Sequence, residues 1–305
     1  MVSKSGTHVL HKYSNSDRVF YVIVYIIMSL VLVVTLYPLY FTVIASISDP
    51  TYVTTGQTFL FPRDIQFHGY RRVFLYPYIW SSYRNTIYYT VVGTAIGLVC
   101  NVTGGFVFSR KGLKGSRICM LAILFTMYFY GGLIPSYFNI RNLGLLNTPW
   151  ALWLPSAISG FNLILARTFM QTSIPDELNE AAVMDGCSPI RYFIRVIIPL
   201  SKPLIAVLAL FLVVGYWNSF FEAMIYIKDR NMYPLQLILR EILIEAQISV
   251  ADLANFDPTR IKSMQDLAES LKYALIIVST VPILIIYPFF QRFFVKGVMI
   301  GSVKG

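Results

Sequence analysis

The side chains that most often carry out enzymatic chemistry are few in this sequence and follow no catalytic spacing. Its three cysteines, Cys100, Cys119 and Cys187, are odd in number, and no two of them have metal-ligand spacing. The three histidines fall outside the long apolar runs of the chain: His8, His11 and His68. A Gly-x4-Gly-Lys-Ser/Thr loop, which would bind the phosphates of ATP, is also missing from the sequence. We therefore predict structural thiols, no catalytic residue, no metal site and no cofactor bound by this chain.

A second group of residues combines aromatic faces with amide, hydroxyl and acidic side chains, which suit a small ligand that offers hydroxyl groups and flat apolar faces. These candidates fall in or beside three of the apolar runs: Tyr128, Tyr130, Asn162, Tyr216, Trp217, Asn218, Phe221 and Glu222. Packing, or a place at the level of the lipid headgroups, is the alternative role for each aromatic residue. Glu222 differs from the others, because an acid at the edge of an apolar run is costly and usually faces a cavity or a partner.

A third group lies between two apolar runs, where local rules predict a short helix. Pro175 suits the first turn of a helix, since its missing N–H would have no partner there. Three acids follow near the start of the helix: Asp176, Glu177 and Glu180. Their negative charge lies near the positive N-terminal end of the helix. Leu178, Ala181 and Ala182 fall at positions i, i+3 and i+4, which gives the helix one apolar face.

A tight turn and a second helix follow. Gly186 is predicted to end the first helix, where a left-handed residue is commonly needed. Ser188 caps the second helix and Pro189 occupies its first position. Pro199 then ends or kinks that helix. We predict helix, turn and helix over residues 174–200, with alanines small enough for a partner to approach closely. Local physics alone favours an ordinary amphipathic connector.

The composition of the chain is that of a membrane protein. Hydrophobic residues make up 56% of it and charged residues 13%, whereas a soluble domain is about 45–50% apolar and ~25% charged. A helix needs about 20 apolar residues to cross a hydrocarbon core about 30 Å thick. Six runs without charge approach or exceed that length: 19–48, 85–109, 118–140, 142–166, 203–221 and 273–291. We therefore predict an all-α integral membrane protein with six transmembrane helices. The first run is too long for a signal peptide and no cleavage site follows it, so we expect it to be retained.

The charges indicate the orientation of these spans. Six spans place both termini on one side of the membrane, and we assign that side to the cytoplasm. Four basic residues lie in the short stretch 110–117, where the positive-inside rule has most weight. The net charge of +10 is therefore mainly a sign of topology. We predict no nucleic-acid partner, because no basic cluster with interleaved aromatic residues stands free of the membrane.

These assignments give three parts: a cytoplasmic lead (1–18), a six-span transmembrane domain (19–294) and a cytoplasmic tail (295–305). Within the transmembrane domain, segments 48–84 and 227–272 are predicted to be external and segment 174–200 to be cytoplasmic. Small residues four apart in the second run, Gly93 and Gly97, are predicted to allow close helix packing.

The cytoplasmic segment resembles a known signature. Glu180-Ala181-Ala182-Val183-Met184-Asp185-Gly186, followed by Val196, Ile198 and Pro199, is similar to the pattern of ABC importer membrane subunits. That pattern is Glu-Ala-Ala, three residues, Gly, nine residues, Ile, one residue, Leu, Pro. Val196 stands for the Ile and Ile198 for the Leu, and both departures are conservative. The segment follows the fourth of six runs, as it does in that family.

Other segments resemble the carbohydrate-uptake branch of the family. They are Gly132-Leu133-Ile134-Pro135, the stretch 142–148, and Tyr216-Trp217-Asn218-Ser219-Phe220-Phe221. The end of the chain, 297–305, resembles the tail of the second, shorter permease of the maltose importer. The whole chain from the first run onward is especially similar to Gram-positive permeases for pectin-type plant oligosaccharides.

The resemblance implies a type I importer permease fold in the cell membrane and transport by alternating access, with no ATP hydrolysis by this chain. The implied ATPase-coupling residues are Glu180, Ala181, Ala182, Asp185, Gly186 and Pro199, and the implied ATPase-contacting residues of the tail are Gly301, Lys304 and Gly305. The implied partners are a second related permease in a heterodimer, two copies of an ABC ATPase that binds ATP and Mg, an extracellular binding protein, the lipid bilayer and an oligosaccharide.

Three alternatives stand beside this interpretation. An ion-coupled carrier would usually show a doubled helix set, and no repeat is visible. A membrane-embedded enzyme is disfavoured, because the runs contain neither histidine nor charge. A non-sugar solute stays open, since the sequence fixes neither the identity, the length nor the charge of a sugar. Four external arginines suit either an acidic sugar or the rim of a binding protein: Arg63, Arg71, Arg72 and Arg84.

Overall fold

The computed structural model describes residues 15–252 and 258–301, and it contains helices, turns and no β-strand in these ranges. The α-helices are α1 (Asn15–Ser46), α2 (Pro50–Thr54), α3 (His68–Phe74), α4 (Ile79–Ser109), α5 (Ser116–Tyr128), α6 (Leu133–Asn142), α7 (Trp150–Trp153), α8 (Gly160–Ser173), α9 (Glu177–Met184), α10 (Pro189–Tyr192), α11 (Ile198–Leu200), α12 (Lys202–Asn218), α13 (Phe221–Tyr226), α14 (Leu235–Asp252) and α15 (Pro258–Gly301). A π-helical turn (Phe193–Ile197) and a 3₁₀ turn (Arg230–Met232) complete the set. The all-α prediction is confirmed.

Three helices, α1, α4 and α15, are each long and apolar enough to cross a bilayer. Two further candidate spans are bent pairs. The axes of α5 and α6 differ by 118°, and those of Pro189–Leu200 and α12 differ by 79°. Length and composition therefore identify three to five spanning units in the described part of the chain.

Two of the predicted runs are divided by breaks rather than forming single helices. The run 118–140 is interrupted at Gly132, whose φ of +90° lies outside the range that other residues readily adopt. The run 142–166 holds α7, an irregular stretch and only the first half of α8. Helix α8 continues past the charged Arg167. The guanidinium Nε of Arg167 donates to the Phe108 carbonyl at 3.1 Å. An absence of charge predicts an apolar environment, and it does not predict where a helix is continuous.

Helix α4 lies at the centre of the fold, with α8 and α12 packed closely against it. A Cβ atom at Gly93 would lie 2.5 Å from the Tyr216 ring of α12. A Cβ atom at Gly105 would lie closer still to Cβ of Ala166 on α8. Since these separations are far below van der Waals contact, only glycine permits this approach. The predicted role of small residues in helix packing is confirmed.

Polar side chains of α4 bind backbone groups where other segments are irregular. Asn101, fully buried, donates from Nδ2 to the Ala157 carbonyl at 2.9 Å and accepts from the Ser159 N–H at 3.3 Å. These groups belong to the break before α8, where the backbone has no helical partners. Nearer the N-terminal end of α4, Asn85 Nδ2 donates to the Asn231 carbonyl and the Tyr89 hydroxyl donates to the Met232 carbonyl.

The segment after α13 is fixed by a second set of polar contacts. Arg230 donates to the Tyr76 hydroxyl at 2.6 Å and to the Glu241 carboxylate at 2.9 Å. Partial burial and then the nearby Glu245 carboxylate raise the pKa of the Tyr76 phenol, so this group stays protonated. Asn147, in the left-handed region at φ +59°, accepts through Oδ1 from the N–H groups of two successive residues, Lys228 and Asp229. Helix α14 therefore lies in a defined position over α4 and α15.

Candidate functional site

The predicted segment 174–200 forms a helix, a tight turn and a second helix. Gly186 has a φ of +68° and follows α9. Its N–H donates to the Val183 carbonyl at 3.0 Å, and the Cys187 N–H donates to the Ala182 carbonyl at 2.8 Å. This pair of bonds is the Schellman arrangement, which satisfies carbonyls that the end of a helix leaves open. The Ser188 side chain then accepts from the Arg191 N–H at 3.4 Å and caps α10.

One side of this segment packs into the protein. Tyr192 and Ile197 are buried in a cluster with Met170 of α8 and Leu204 of α12. Ala182 packs against the same cluster and is half-buried. The predicted apolar face is thus only partly internal, since Ala181 and Leu178 are exposed. The segment is anchored to the ends of three helices, α4, α8 and α12.

Four apolar side chains of this segment are exposed. Met184, 87% exposed, stands at the tip of the turn beside Val183. Ile190 and Ile194 continue the surface along the second helix. Four exposed apolar side chains around one turn are unusual without a partner, because contiguous apolar surface commonly marks an interaction site. Of the predicted coupling residues, Glu180, Ala181, Asp185, Gly186 and Pro199 are exposed in the same segment.

The bend between this segment and α12 lies at Ser201, where the second helix ends just after Pro199. Proline lacks an N–H and its ring clashes with the carbonyl four residues earlier. The backbone accommodates it through the π-helical turn, in which the Ile198 N–H donates to the Phe193 carbonyl five residues back. A π-turn of this kind is frequent at functional positions. The prediction that Pro199 ends or kinks the second helix is confirmed by the 79° bend.

An ion pair connects the segment to the basic loop after α4. Lys111 Nζ lies 2.5 Å from the Asp176 carboxylate. The hydrogen bond to Asp176 and its charge raise the pKa of Lys111, and the same bond lowers the pKa of Asp176. Both shifts favour the charged forms of the two side chains. Arg110 lies next to it, with its guanidinium 4.9 Å from the centre of the Phe106 ring.

A second feature is a cavity of about 400 Å³ where the backbone unwinds between α12 and α13. Four of the residues predicted for the substrate path line it: Tyr216, Asn218, Phe221 and Glu222. The Ser219 hydroxyl donates to the Glu222 carboxylate at 2.8 Å. Irregular backbone at membrane depth is tolerated where it lines a cavity. The cavity combines aromatic faces, an amide and an acid, which is the chemistry that binds sugar hydroxyls.

The other predicted path residues lie elsewhere. Tyr128 and Tyr130 are 81% and 76% exposed at the break after α5 and do not line the cavity. Asn162 is buried on α8. Trp217 points away from the cavity into the core, where its Nε1 donates to the Ser279 carbonyl at 2.9 Å.

Sequence reasoning did not select several lining residues, including Ser156, Gly215 and Ser219. For Ser219 a signal existed, since it lies three residues before the acid that it binds. Of the tail, Gly301 ends α15, and Lys304 and Gly305 lie outside the described residues.

Comparison with known proteins places this geometry in a family. A family model described as "Binding-protein-dependent transport system inner membrane component" matches residues 7–300. The chain is 39% identical over 298 residues to protein LplC of Bacillus subtilis, covering 98% of this chain and 99% of that protein. It is 34% identical over 289 residues to the polygalacturonan/rhamnogalacturonan transport system permease protein YtcP of Bacillus subtilis, covering 95% and 99%.

Among solved structures, the chain is similar to one from the crystal structure of a bacterial ABC transporter involved in the import of the acidic polysaccharide alginate. The TM-score is 0.78 at 34% identity, and the match covers 92% of this chain and 99% of that one. The sequence and structural comparisons together confirm the family resemblance and the fold class.

The ion pair gives a first prediction. Asp176→Asn is expected to raise the rate at which an amine-reactive acetylating reagent modifies Lys111 at fixed pH, because removing the carboxylate lowers the lysine pKa and increases the reactive neutral amine. Mass spectrometry of the purified protein measures this rate, with Lys114 in the same loop as the internal control. An unchanged ratio of Lys111 to Lys114 modification would show that the pair does not form in solution.

Proposed function

Because the chain belongs to the binding-protein-dependent transport system inner membrane components, we propose that it is the permease of an ABC importer that takes up oligosaccharides delivered by an extracellular binding protein. The names of two relatives support the solute class, since YtcP is a polygalacturonan/rhamnogalacturonan permease and the solved relative serves alginate import. A second, related permease would complete the membrane part as a heterodimer. Two copies of a separate ABC ATPase would bind ATP and Mg and supply the energy.

One observation carries the coupling part of this proposal. The segment 174–200 has an exposed apolar tip at Met184 and an opposite face buried among the ends of spanning helices. A partner that binds the tip can therefore move those helices directly. In this arrangement the acids around the tip, Glu180 and Asp185, offer ion pairs to the ATPase. In this proposal the segment lies in the cytoplasm, together with both termini.

The mechanism that follows is alternating access. Closure of the ATPase dimer on ATP draws the two docked segments together. Helix α12 begins directly after the bend at Ser201, so displacement of the segment changes the position of α12 and of the cavity at its other end. The cavity is then presented to one side of the membrane or the other. Glu222 and Asn218 would accept and donate hydrogen bonds to the passing sugar.

The docking turn is tested by two matched glycine substitutions. Gly186 and Gly56 have φ values of +68° and +72°, and a Cβ atom added at either glycine would have no other atom within 4 Å. Alanine at either position adds about 1 kcal/mol of backbone strain. We expect Gly186→Ala to lower ATP hydrolysis stimulated by the loaded binding protein about fivefold, since that strain populates other turn geometries. Gly56→Ala, on the external side, should leave it unchanged.

Membrane-reconstituted complex, with the partner permease and ATPase co-expressed, is the material for this measurement. Co-purification of the ATPase should also fall for Gly186→Ala. Equal activity of the two variants would remove the proposed role of the turn.

The cavity is tested by Glu222→Gln, which keeps the size of the side chain and removes its charge. A hydrogen bond to a charged acceptor is about 1 kcal/mol stronger than one to a neutral acceptor, so oligosaccharide uptake into proteoliposomes is expected to fall about fivefold. Uptake should stay dependent on ATP and independent of an imposed proton gradient. Glu269→Gln, an acid outside the cavity, is the control. Normal uptake by Glu222→Gln would place the sugar elsewhere, and uptake driven by a proton gradient would indicate a carrier.

A further inference from the structure

The last spanning helix contains a proline, and side chains of two other helices bind backbone carbonyls close to it. Pro282 lies inside α15 and has no N–H to donate to the Val278 carbonyl four residues earlier. The Tyr83 hydroxyl of α4 donates to that carbonyl at 2.8 Å. Trp217 of α12 donates from Nε1 to the next carbonyl, Ser279, at 2.9 Å. Tyr83 thus binds the carbonyl that Pro282 leaves open, and Trp217 binds the next carbonyl, whose own helical donor position, Ile283, keeps its N–H.

These two hydrogen bonds lie among buried residues. Trp217 is 3% exposed and Val278 is 5% exposed. An unsatisfied carbonyl is costly in an environment without water, and prolines in spanning helices are tolerated where neighbouring side chains satisfy the freed groups. Trp217 was predicted to contact substrate, and its indole N–H is instead committed to this contact.

The packing of α15 changes at the same level. On the external side of Pro282, Leu271, Ala274 and Leu275 are buried against α3 and α14. On the other side, Leu284 and Ile285 are more than half exposed. A spanning helix that is buried on one side of a proline and largely exposed beyond it can bend at that proline.

We propose that Pro282 is the hinge of α15 and that Tyr83 and Trp217 are positioning residues that hold its outer half. Trp217 lies at the far end of α12 from the bend at Ser201, so movement of the docking segment reaches α15 through this indole. The outer half of α15 then moves with α4 and α12 as one body, while the inner half changes its angle. This inference rests on the proposed function, since it concerns how ATP hydrolysis is linked to transport.

The test uses Tyr83→Phe and Trp217→Phe in the reconstituted importer. Each variant keeps a ring and removes one hydrogen-bond donor. The controls are Tyr88→Phe on the same helix and Trp80→Phe, whose rings are half or more exposed. We expect each of the two positioning variants to lower the oligosaccharide transported per ATP hydrolysed about threefold, the scale of one hydrogen bond between spanning helices. Complex assembly and the controls should be unchanged.

A second background separates a hinge from general stability. Pro282→Ala restores a backbone N–H that can bind the Val278 carbonyl, so Tyr83→Phe should have little further effect on the coupling ratio in that background. Additive losses in the double variant, or a proportional fall of transport and ATP hydrolysis in the single variants, would overturn the hinge. A wild-type complex without ATPase stimulation would instead overturn the proposed function itself.

Discussion

The rest of this structure depends on one constraint, which is that backbone groups freed by a break in a helix must find partners where water is absent. Helix α4 supplies most of those partners. Asn101 binds the backbone before α8, Tyr83 binds the carbonyl exposed by Pro282, and Tyr89 and Asn85 bind the segment before α14. Because these side chains lie along one continuous helix, α4 also sets the relative positions of the broken segments. The glycines of α4 add close contact to these bonds, so the same helix provides both the hydrogen bonds and the close helix approaches.

On the proposed function, the breaks lie where transport would require movement or contact. A bend at Ser201 separates segment 174–200 from α12, and the unwound residues after α12 line the cavity. One helix of 17 residues, α12, therefore runs from the bend after segment 174–200 to the cavity. On the proposed function, a displacement of that segment is carried along α12 to the cavity. This gives the permease a mechanical path that is short, continuous and anchored to α4 on one side.

Local features of the sequence were sufficient to predict the docking segment. Gly186 needed a left-handed residue, Ser188 needed to cap a helix and Pro199 could not continue one, and all three are local properties. The breaks in the third and fourth apolar runs depend on distant contacts instead. Asn101 reaches residues 157 and 159 only in the folded chain, and the local sequence of an apolar run does not predict that contact. Trp217 shows the same limit, since its neighbours in sequence line a cavity while its own side chain binds α15 on the opposite side. The domain limits at the termini and the roles assigned to the tail stay predictions.

The most direct test of the central role of α4 is the effect of Asn101→Leu on thermal stability and backbone hydrogen exchange of the protein in lipid nanodiscs. Leucine keeps the approximate size of asparagine and removes both hydrogen bonds to the break before α8, at an expected cost of about 2 kcal/mol. We predict a lower thermal midpoint together with faster backbone hydrogen exchange confined to residues 155–160. Asn139→Leu, an exposed asparagine on α6, is the matched control and should change neither quantity. Unchanged exchange at 155–160 in Asn101→Leu would contradict the claim that α4 holds the broken segments in place.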